Sequence, residues 1–291
     1  MITFLSLLKQ GIETLEKAGV PDASTDGRML MEYCFGMSRE KLLLSYETEI
    51  PNEDKDIIDR YSLLIRERAG RIPLQHIIGT TDFMGLEFEV NENVLVPRFD
   101  TEILVEEALK EINDSDNILD MCTGTGCILI SLLNYSNNCR GTGVDVSEKA
   151  LETAGRNADR ILTARNDISI NFVKSDMFAG LESSEKFDVI VSNPPYIETD
   201  EIEKLSPEVK DFDPRIALDG GNDGLMFYRI IAKECSDYLK PGGKMFLEIG
   251  WNQAEAVREL LEKAGLVKIE VVKDYAGLDR VVRAERKINY V

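Results

Sequence analysis

The sequence predicts a Rossmann-like α/β domain with a seven-stranded sheet, preceded by a small N-terminal helical bundle. Before about residue 70, apolar residues recur at helical spacing, and after about residue 100 short apolar strands alternate with helices. A glycine pair, Gly124 and Gly126, directly follows the first of those strands. Such alternation is typical of a parallel, doubly wound sheet that binds ligands at the carboxyl ends of its strands. A length of 291 residues leaves room for both parts.

Residues 1–72 are predicted to form the helical bundle. Leu8, Ile12 and Leu15 share one helical face, and similar stretches follow around Leu30 and Ile58. Residues 73–96 are predicted to be a linker and a β-hairpin, since aromatic and aliphatic residues alternate there with polar ones.

Residues 97–291 are predicted to form the α/β domain. Its seven strands are expected at 118–121, 141–146, 168–173, 187–192, 244–249, 266–272 and 280–285, with late helices at 225–239 and 253–264. The segment between residues 193 and 225 has no clear periodicity and contains four prolines. Loops of that length are often functional, so we expect this one to be a lid.

Composition narrows the classes of partner. The formal net charge of -19 disfavours binding to nucleic acid, because that affinity comes largely from lysine and arginine. Five cysteines without a C-x-x-C pair are expected to be reduced thiols. With one histidine in the chain, no zinc site is expected. We find no signal peptide and no apolar run of about 18 residues, so we expect a cytoplasmic protein that does not bind membranes.

The glycine pair predicts a ligand site. A strand that ends at Asp120, turns on Gly124 and Gly126 and enters a helix brings a ligand close to backbone N–H groups. Leu129 stands where the pyrophosphate fingerprint requires a third glycine. Asp145, at the end of the next strand, has a carboxylate that can accept both hydroxyls of a ribose. Together with Asp176 after the third strand, these residues indicate an adenosine-containing ligand without a pyrophosphate.

The tetrapeptide Asn193-Pro194-Pro195-Tyr196 follows the fourth strand. A residue before proline is held extended, and proline has no N–H to donate. The Asn193 side-chain oxygen and the Pro194 carbonyl are therefore expected to form two fixed acceptors, which match the two donors of a planar NH2 group. Tyr196 is expected to press its ring against a flat substrate. Such a site would orient a weakly nucleophilic nitrogen for methyl transfer, with proton loss during or after the transfer.

A series of motifs resembles the release-factor glutamine N5-methyltransferases, the HemK or PrmC family. The similar segments are Pro73-Leu-Gln-His-Ile-Ile-Gly79, Val96-Pro-Arg-Phe-Asp-Thr-Glu102, Asp120-Met-Cys-Thr-Gly-Thr-Gly126, Gly143-Val-Asp-Val-Ser147, Asn193-Pro-Pro-Tyr-Ile197, Phe212-Asp-Pro-Arg-Ile-Ala-Leu218, Gly220-Gly-Asn-Asp-Gly-Leu225, Glu248-Ile-Gly250 and Asp279-Arg280. The sequence departs from the family pattern at His76, Phe99, Cys122 and Asp213, where tyrosine, proline, glycine and glutamate are usual.

The resemblance implies an S-adenosylmethionine-dependent enzyme without a metal, which methylates the glutamine in the Gly-Gly-Gln loop of peptide-chain release factors. It also implies that the helical domain recognises this substrate, and we expect a monomer. The implied cofactor-binding residues are Asp120, Thr123, Gly124, Thr125, Gly126, Asp145, Val146, Asp176, Met177 and Asn193. The catalytic residues would be Asn193, Pro194 and Tyr196. The substrate site would comprise Asn193, Pro194, Pro195, Tyr196 and Arg98, although a structural ion pair explains Arg98 equally well.

Three other functions remain open at this point. An adenine-N6 methyltransferase acting on DNA or RNA would present the same NH2 group to Asn193 and Pro194, but it would flip the base and would normally carry a basic surface. A regulatory module that binds the cofactor without catalysis would not need the intact tetrapeptide. A nicotinamide oxidoreductase would bind NAD in place of S-adenosylmethionine.

Overall fold

The computed structural model describes residues 2–288 and divides them into two compact units. The first unit runs to Gly79 and also contains Ser206–Phe212, and the second contains Thr80–Leu205 and the chain from Asp213 onward. The segment Ser206–Phe212 thus groups with the helical unit, although it falls within the predicted α/β range 97–291.

The first unit is helical. Its helices are α1 (Phe4–Lys17), α2 (Ala23–Phe35), α3 (Arg39–Leu44), α4 (Lys55–Ala69), α5 (Leu74–Ile78) and the later α9 (Pro207–Lys210). Thr3 and Ser6 start α1 with reciprocal side-chain hydrogen bonds to each other's backbone N–H. The apolar faces of the helices meet in a core that includes Leu15, Leu30 and Leu42, each fully buried.

A buried ion-pair network connects α9 to this unit. The Arg68 guanidinium donates to Asp26 at 2.7 Å and to Glu208 at 2.9 Å, and Arg71 donates to the other Glu208 oxygen at 2.6 Å. Burial would raise the pKa of Glu208, but its hydrogen bonds with Arg71 and Arg68 bring it to about 2. Since Glu208 therefore stays ionised at neutral pH, its pairing with both arginines holds the segment Ser206–Phe212 on the helical unit.

The second unit begins with a hairpin of β1 (Thr80–Phe83) and β2 (Leu86–Glu89). The two turn residues, Met84 and Gly85, have φ of 52° and 71°, as a tight hairpin turn requires. The hairpin spans residues 80–89 and is therefore shorter than the range 79–96 from which it was predicted. The predicted linker is also more ordered than expected, because α5 lies within it.

A seven-stranded sheet forms the centre of this unit, as predicted. Its strands are β3 (Asn117–Met121), β4 (Arg140–Asp145), β5 (Ser169–Lys174), β6 (Phe187–Ser192), β7 (Leu239–Glu248), β8 (Leu266–Lys273) and β9 (Asp279–Arg286). Their order across the sheet is β5-β4-β3-β6-β7-β9-β8, and the first five are parallel. The chain reverses its direction of winding at β3, so the switch point lies between β3 and β6.

The sheet is parallel over its first five strands, as predicted, and departs from this pattern at β9. β9 runs antiparallel to both β7 and β8. Only the short segment 274–278 joins β8 to β9. A parallel crossover needs a dozen or more residues, so this connection can only form a hairpin.

Helices cover both faces of the sheet. They are α6 (Phe99–Leu109), α7 (Cys127–Tyr135), α8 (Glu148–Ile161), α10 (Met226–Tyr238) and α11 (Ala254–Lys263). Alternate residues of β3 point to opposite faces: Ile118 packs in the cluster with α6 and α7, whereas Leu119 and Met121 pack with α10 and α11. β3 is therefore buried on both sides, as expected for a central strand covered by helices on both faces.

The segment predicted to be a lid contains more local structure than its sequence suggested. Short 3-10 helices span Thr199–Lys204 and Arg215–Ala217, on either side of α9. Within the second unit, the isolated parallel bridge between Ile197 and Asp219 closes part of this segment on itself. Its proposed motion stays a prediction.

Substitution of two glycines in this unit tests the packing of α7 against α8. A Cβ on Gly126 would lie 2.8 Å from Ile130 Cδ1 and 3.1 Å from Ala154 Cβ, and its φ is 78°. Gly126→Ala should therefore lower the free energy of unfolding by about 1–3 kcal/mol. Gly155, in the middle of α8, has open space around it, so Gly155→Ala should raise that free energy by about 0.5–1 kcal/mol. Urea unfolding of both variants measures this, and a Gly126→Ala protein as stable as the wild type would contradict the packing.

Candidate active site

A cleft of about 260 Å³ lies at the carboxyl ends of the parallel strands. Of the predicted site residues, those that line it are Gly124, Asp145, Val146, Asp176, Met177, Asn193 and Pro195. They come from the ends of β3, β4, β5 and β6. The sheet therefore brings together residues that are distant in the sequence.

Asp145 lies at the end of β4 and is held by the backbone. Its Oδ2 accepts a hydrogen bond from the Gly124 N–H at 3.0 Å, and its Oδ1 accepts one from the Ser147 N–H at 2.9 Å. Burial raises the pKa of Asp145, and these backbone hydrogen bonds oppose the rise. Each carboxylate oxygen keeps a further acceptor site, so the pair can receive two neighbouring hydroxyls of a ligand.

The two glycines of the loop after β3 have different roles. A Cβ on Gly124 would meet nothing within 4 Å, which leaves this part of the backbone open to a ligand. Gly126 instead packs against α8 and is buried. Asp120, Thr123 and Thr125 are also buried and do not line the cleft. They form the support of the loop, and their predicted contact with a cofactor stays a prediction.

Asp120 supports the loop from the protein interior. It is fully buried, and its Oδ2 accepts a hydrogen bond from the Thr123 hydroxyl at 2.6 Å. Its Oδ1 has no hydrogen-bond partner among residues 2–288. Burial therefore raises the pKa of Asp120 to about 7, although the bond from Thr123 opposes this.

Two non-glycine residues on the cleft have left-handed backbones. Cys122 has a φ of 62° and Met177 a φ of 49°, and their sulfur atoms are 3.9 Å apart. A left-handed conformation costs about 1–2 kcal/mol for a residue with a Cβ. A glycine would adopt this conformation without that cost, so Cys122 and Met177 place backbone strain where the ligand would bind.

Asp176 and the apolar walls complete the cleft. The Asp176 side chain is exposed, and its carboxylate makes no hydrogen bond to another part of the described chain. Sequence reasoning missed the residues that form the apolar walls, which include Val94, Leu95, Ile216 and Phe227. These lie in loops, in the short 3-10 helix at Arg215–Ala217 or in the first turn of α10, where periodicity carries no signal.

Only part of the tetrapeptide after β6 lines the cleft. Asn193 and Pro195 line the cleft, whereas Pro194 and Tyr196 do not. The Asn193 Nδ2 donates a hydrogen bond to the Thr101 hydroxyl at 3.2 Å, which leaves its Oδ1 as the open end of the amide. Within residues 2–288, the Pro194 carbonyl accepts no hydrogen bond. The pairing of these two acceptors with a substrate amide stays a prediction.

Tyr196 is directed toward a buried carboxyl group. Its hydroxyl lies 3.5 Å from Oε1 of Glu248, which is 2% exposed at the end of β7. Burial raises the pKa of Glu248 to about 7, while hydrogen bonding by Thr101 and the charge of Arg280 oppose the rise. Oε2 of Glu248 has no hydrogen-bond partner in the described chain. Sequence reasoning assigned no role to Thr101 or Glu248, and the only signal was their place in family-like motifs.

Arg98 is engaged in an ion pair. Its Nη2 lies 2.7 Å from Oδ2 of Asp213, whose side chain is fully buried. Burial raises the pKa of Asp213 to about 6, and the charge of Arg98 opposes this. The structure therefore contains an ion pair of the kind that the structural interpretation of Arg98 requires. Contact of Arg98 with a substrate stays a prediction.

The described residues contain no group of three His, Cys, Asp or Glu side chains that could hold a metal ion. Between residues 2 and 288, no helix is long and apolar enough to cross a membrane.

Comparison with known proteins identifies the family. Residues 6–79 match the PrmC N-terminal domain, and residues 98–207 match the methyltransferase small domain. The release factor glutamine methyltransferase of Fusobacterium nucleatum is 40% identical over 286 residues, which cover 98% of this chain and 79% of that protein. The chain belongs to the release factor glutamine methyltransferase family. The resemblance inferred from the motifs is confirmed.

Two further relatives support the assignment of family and fold. The release factor glutamine methyltransferase of Geobacter sulfurreducens is 38% identical over 268 residues, which cover 92% of this chain and 91% of that protein. The crystal structure of a methyltransferase from Pyrococcus furiosus matches 71% of this chain and 91% of its own, with a TM-score of 0.52. At 24% identity, that structure supports the methyltransferase fold alone.

The buried carboxyl groups predict an unusual dependence of stability on pH. The pKa of Asp120 and of Glu248 is raised to about 7 in the folded protein, so both bind protons more tightly when folded than when unfolded. Their contribution to stability is full below their unfolded pKa and is lost as the pH rises through about 7. The ligand-free protein should therefore be more stable at about pH 6 than at about pH 8, by about 1–2 kcal/mol.

Urea unfolding at the two pH values measures this difference. Asp120→Asn removes one titrating group and keeps an oxygen acceptor for Thr123, so it should reduce the difference. Equal stability at both pH values in the wild type would show that these carboxyl groups stay ionised when buried.

Proposed function

We propose that this chain transfers a methyl group from S-adenosylmethionine to the N5 amide nitrogen of the glutamine in the Gly-Gly-Gln loop of peptide-chain release factors. The family supports this, since the relatives from Fusobacterium and Geobacter bear the name release factor glutamine methyltransferase. The observation that carries the proposal is the place of Asn193 on the cleft, directly before Pro194, whose carbonyl accepts no hydrogen bond within residues 2–288. Two acceptors match the two N–H bonds of a primary amide.

The residues of the cleft fit S-adenosylmethionine, which supplies an electrophilic methyl group on a sulfonium. Asp145 receives the two ribose hydroxyls. One of its oxygens accepts a hydrogen bond from Gly124 and the other from Ser147, and each oxygen retains a further acceptor site. The free carboxylate of Asp176 and the backbone of Met177 bind the adenine. Gly124 leaves room for the methionine part, since nothing occupies the space beside its Cα.

Asn193 and Pro194 orient the glutamine amide. Its lone pair is delocalised into the carbonyl group, so the nitrogen attacks only when it is aligned and shifts toward tetrahedral geometry. The two acceptors favour that shift, and correct orientation recovers about 7–11 kcal/mol of the barrier. The nitrogen takes the methyl group as the S–CH3 bond breaks with its electron pair left on sulfur, which yields S-adenosyl-L-homocysteine. The methylated nitrogen then has one proton too many, and this proton departs during or after the transfer.

The charge of the chain supports a protein as substrate. A net charge of -19 disfavours binding to DNA or RNA, which normally needs a basic footprint. We propose that the enzyme acts in the cytoplasm as a monomer.

Asn193→Ala tests the proposed role of the tetrapeptide. The variant loses one of the two acceptors, so its methylation rate should fall about 100-fold or more, while cofactor affinity measured by calorimetry is retained. The assay uses labelled cofactor and a purified release factor, followed by mass spectrometry of the Gly-Gly-Gln peptide. Asn166→Ala, at an exposed position, serves as the matched control.

Undiminished turnover by Asn193→Ala would refute the role of Asn193. Methylated adenine in duplex DNA with an unmodified release factor would favour the nucleic-acid alternative.

Asp145→Ala tests the cofactor site. Loss of hydrogen bonds to a charged carboxylate should weaken the affinity for S-adenosylmethionine about 10- to 100-fold. Calorimetry measures this, with the exposed Asp159→Ala as control. Because Asp145 also accepts two backbone N–H bonds, urea unfolding must establish that the variant is folded. An unchanged affinity would place the ribose elsewhere.

A further inference from the structure

We propose that Gln253 is a positioning residue for methyl transfer, because its side chain holds the backbone of Pro194-Pro195-Tyr196 in place. This inference rests on the proposed function, since it concerns how the tetrapeptide is fixed for the substrate amide. Gln253 directly precedes α11, is 8% exposed and does not line the cleft. It therefore acts on the substrate only through the residues that it holds.

The tetrapeptide has few hydrogen bonds of its own to fix its backbone. Pro194 and Pro195 have no N–H to donate. Within residues 2–288, the stretch from Pro194 to Tyr196 makes one main-chain hydrogen bond, which the Tyr196 carbonyl accepts from Gln253 Nε2 at 2.9 Å. Regular main-chain hydrogen bonding resumes only at Ile197, whose N–H donates to Leu218. The position of the proline pair therefore depends on Gln253.

Three contacts fix the direction of the Gln253 amide. Its Nε2 donates to the carbonyl oxygens of Tyr196 at 2.9 Å and of Gly224 at 3.3 Å. Its Oε1 accepts from the Gly250 N–H at 2.9 Å. A carbonyl can only accept and a backbone N–H can only donate, so a reversed amide would lose all three bonds. One buried side chain thus joins the tetrapeptide to the segment before α10 and to the turn after β7.

Two glycines bring the segment before α10 close to the tetrapeptide. A Cβ on Gly220 would lie 2.8 Å from the Tyr196 Cα and 2.9 Å from the Pro195 carbonyl oxygen. A Cβ on Gly224 would collide with the Tyr196 carbonyl oxygen. The backbones approach this closely because neither residue has a side chain. Packing therefore supports Tyr196 on one side, and Gln253 supplies the hydrogen bond.

The consequence for the reaction follows from the place of Tyr196, two residues after Pro194. Asn193 and Pro195 line the cleft, and the Pro194 carbonyl is the acceptor proposed for the substrate amide. Without the bond from Gln253, the proline pair is free to shift relative to that amide. A displacement of about 1 Å can lower a rate about 100-fold. We therefore expect Gln253 to affect methyl transfer and not cofactor binding.

Gln253→Met tests this role in the full-length enzyme. The new side chain is unbranched and similar in size, but it has no N–H to donate. It should lower kcat about 10- to 100-fold, while the affinity for S-adenosylmethionine measured by calorimetry is retained. Asn166→Met, at an exposed position, serves as the matched control and should change neither quantity. A wild-type kcat in Gln253→Met, or a loss of cofactor affinity as large as the loss of kcat, would overturn the inference.

Gln253→Glu tests the donor alone, since its carboxyl keeps an acceptor for the Gly250 N–H. When ionised, this carboxyl cannot donate to the Tyr196 carbonyl, whereas its protonated form can. Burial beside two carbonyl oxygens raises the pKa of a carboxyl, so the ratio of the variant's kcat to that of the wild type should rise as the pH falls from about 9 to about 6. The same ratio for Gln253→Met should not depend on pH. If Gln253→Glu stays as slow as Gln253→Met throughout this range, the hydrogen bond does not position the site.

A measurement without turnover keeps this inference separate from the proposed function. The pair Tyr-Ile occurs once in the chain, at residues 196 and 197, so 13C at tyrosine carbonyls and 15N at isoleucine select the signal of the Tyr196 carbonyl. This signal should shift in Gln253→Met and stay unchanged in Asn166→Met. A signal that is the same in both variants and the wild type would refute the hydrogen bond. A wild-type enzyme that leaves the Gly-Gly-Gln peptide unmodified would refute the proposed function and not this contact.

Discussion

The cleft residues that follow the strands owe their position to the parallel pairing of β3 with the strands on either side. Met121, at the end of β3, lies opposite Val144 of β4 and opposite Ser192 of β6. Parallel strands point their carboxyl ends to the same edge, so the residues that follow these strands meet there. Asp145 and Asn193 reach one cleft for this reason. The helices between the strands make the parallel arrangement possible and bury both faces of the sheet.

The support beneath the cleft is polar, which is unusual for a protein interior. Asp120, Thr101 and Glu248 are all nearly or fully buried. Burying such groups destabilises the fold unless hydrogen bonds compensate, and two of the carboxylate oxygens remain without a partner among the described residues. The left-handed backbones of Cys122 and Met177 add strain at the same place. The stability of the apolar core, with residues such as Leu119 and Val257 fully buried, allows the site to retain these features.

Much of the fold was predictable because the strands of this sheet are short apolar runs with polar residues directly after them. The run before Asp120 and the run before Asn193 both became central strands. The antiparallel end of the sheet was not predicted, since an apolar run carries no information on the direction of its neighbour. The short helix α5 was also missed, because five residues are too few to show helical periodicity.

The sequence by itself determined the family, the glycine turn, and the acidic and amide residues that end the strands, because these depend on residue type and spacing along the chain. Only the tertiary structure decided which of them face the cleft. Gly124 is open and Gly126 is packed against α8, although both stand in one short motif. The same holds for the contact between the Asn193 side-chain amide and the Thr101 hydroxyl. That contact joins residues far apart in sequence, so only the packed fold can bring its donor and acceptor together.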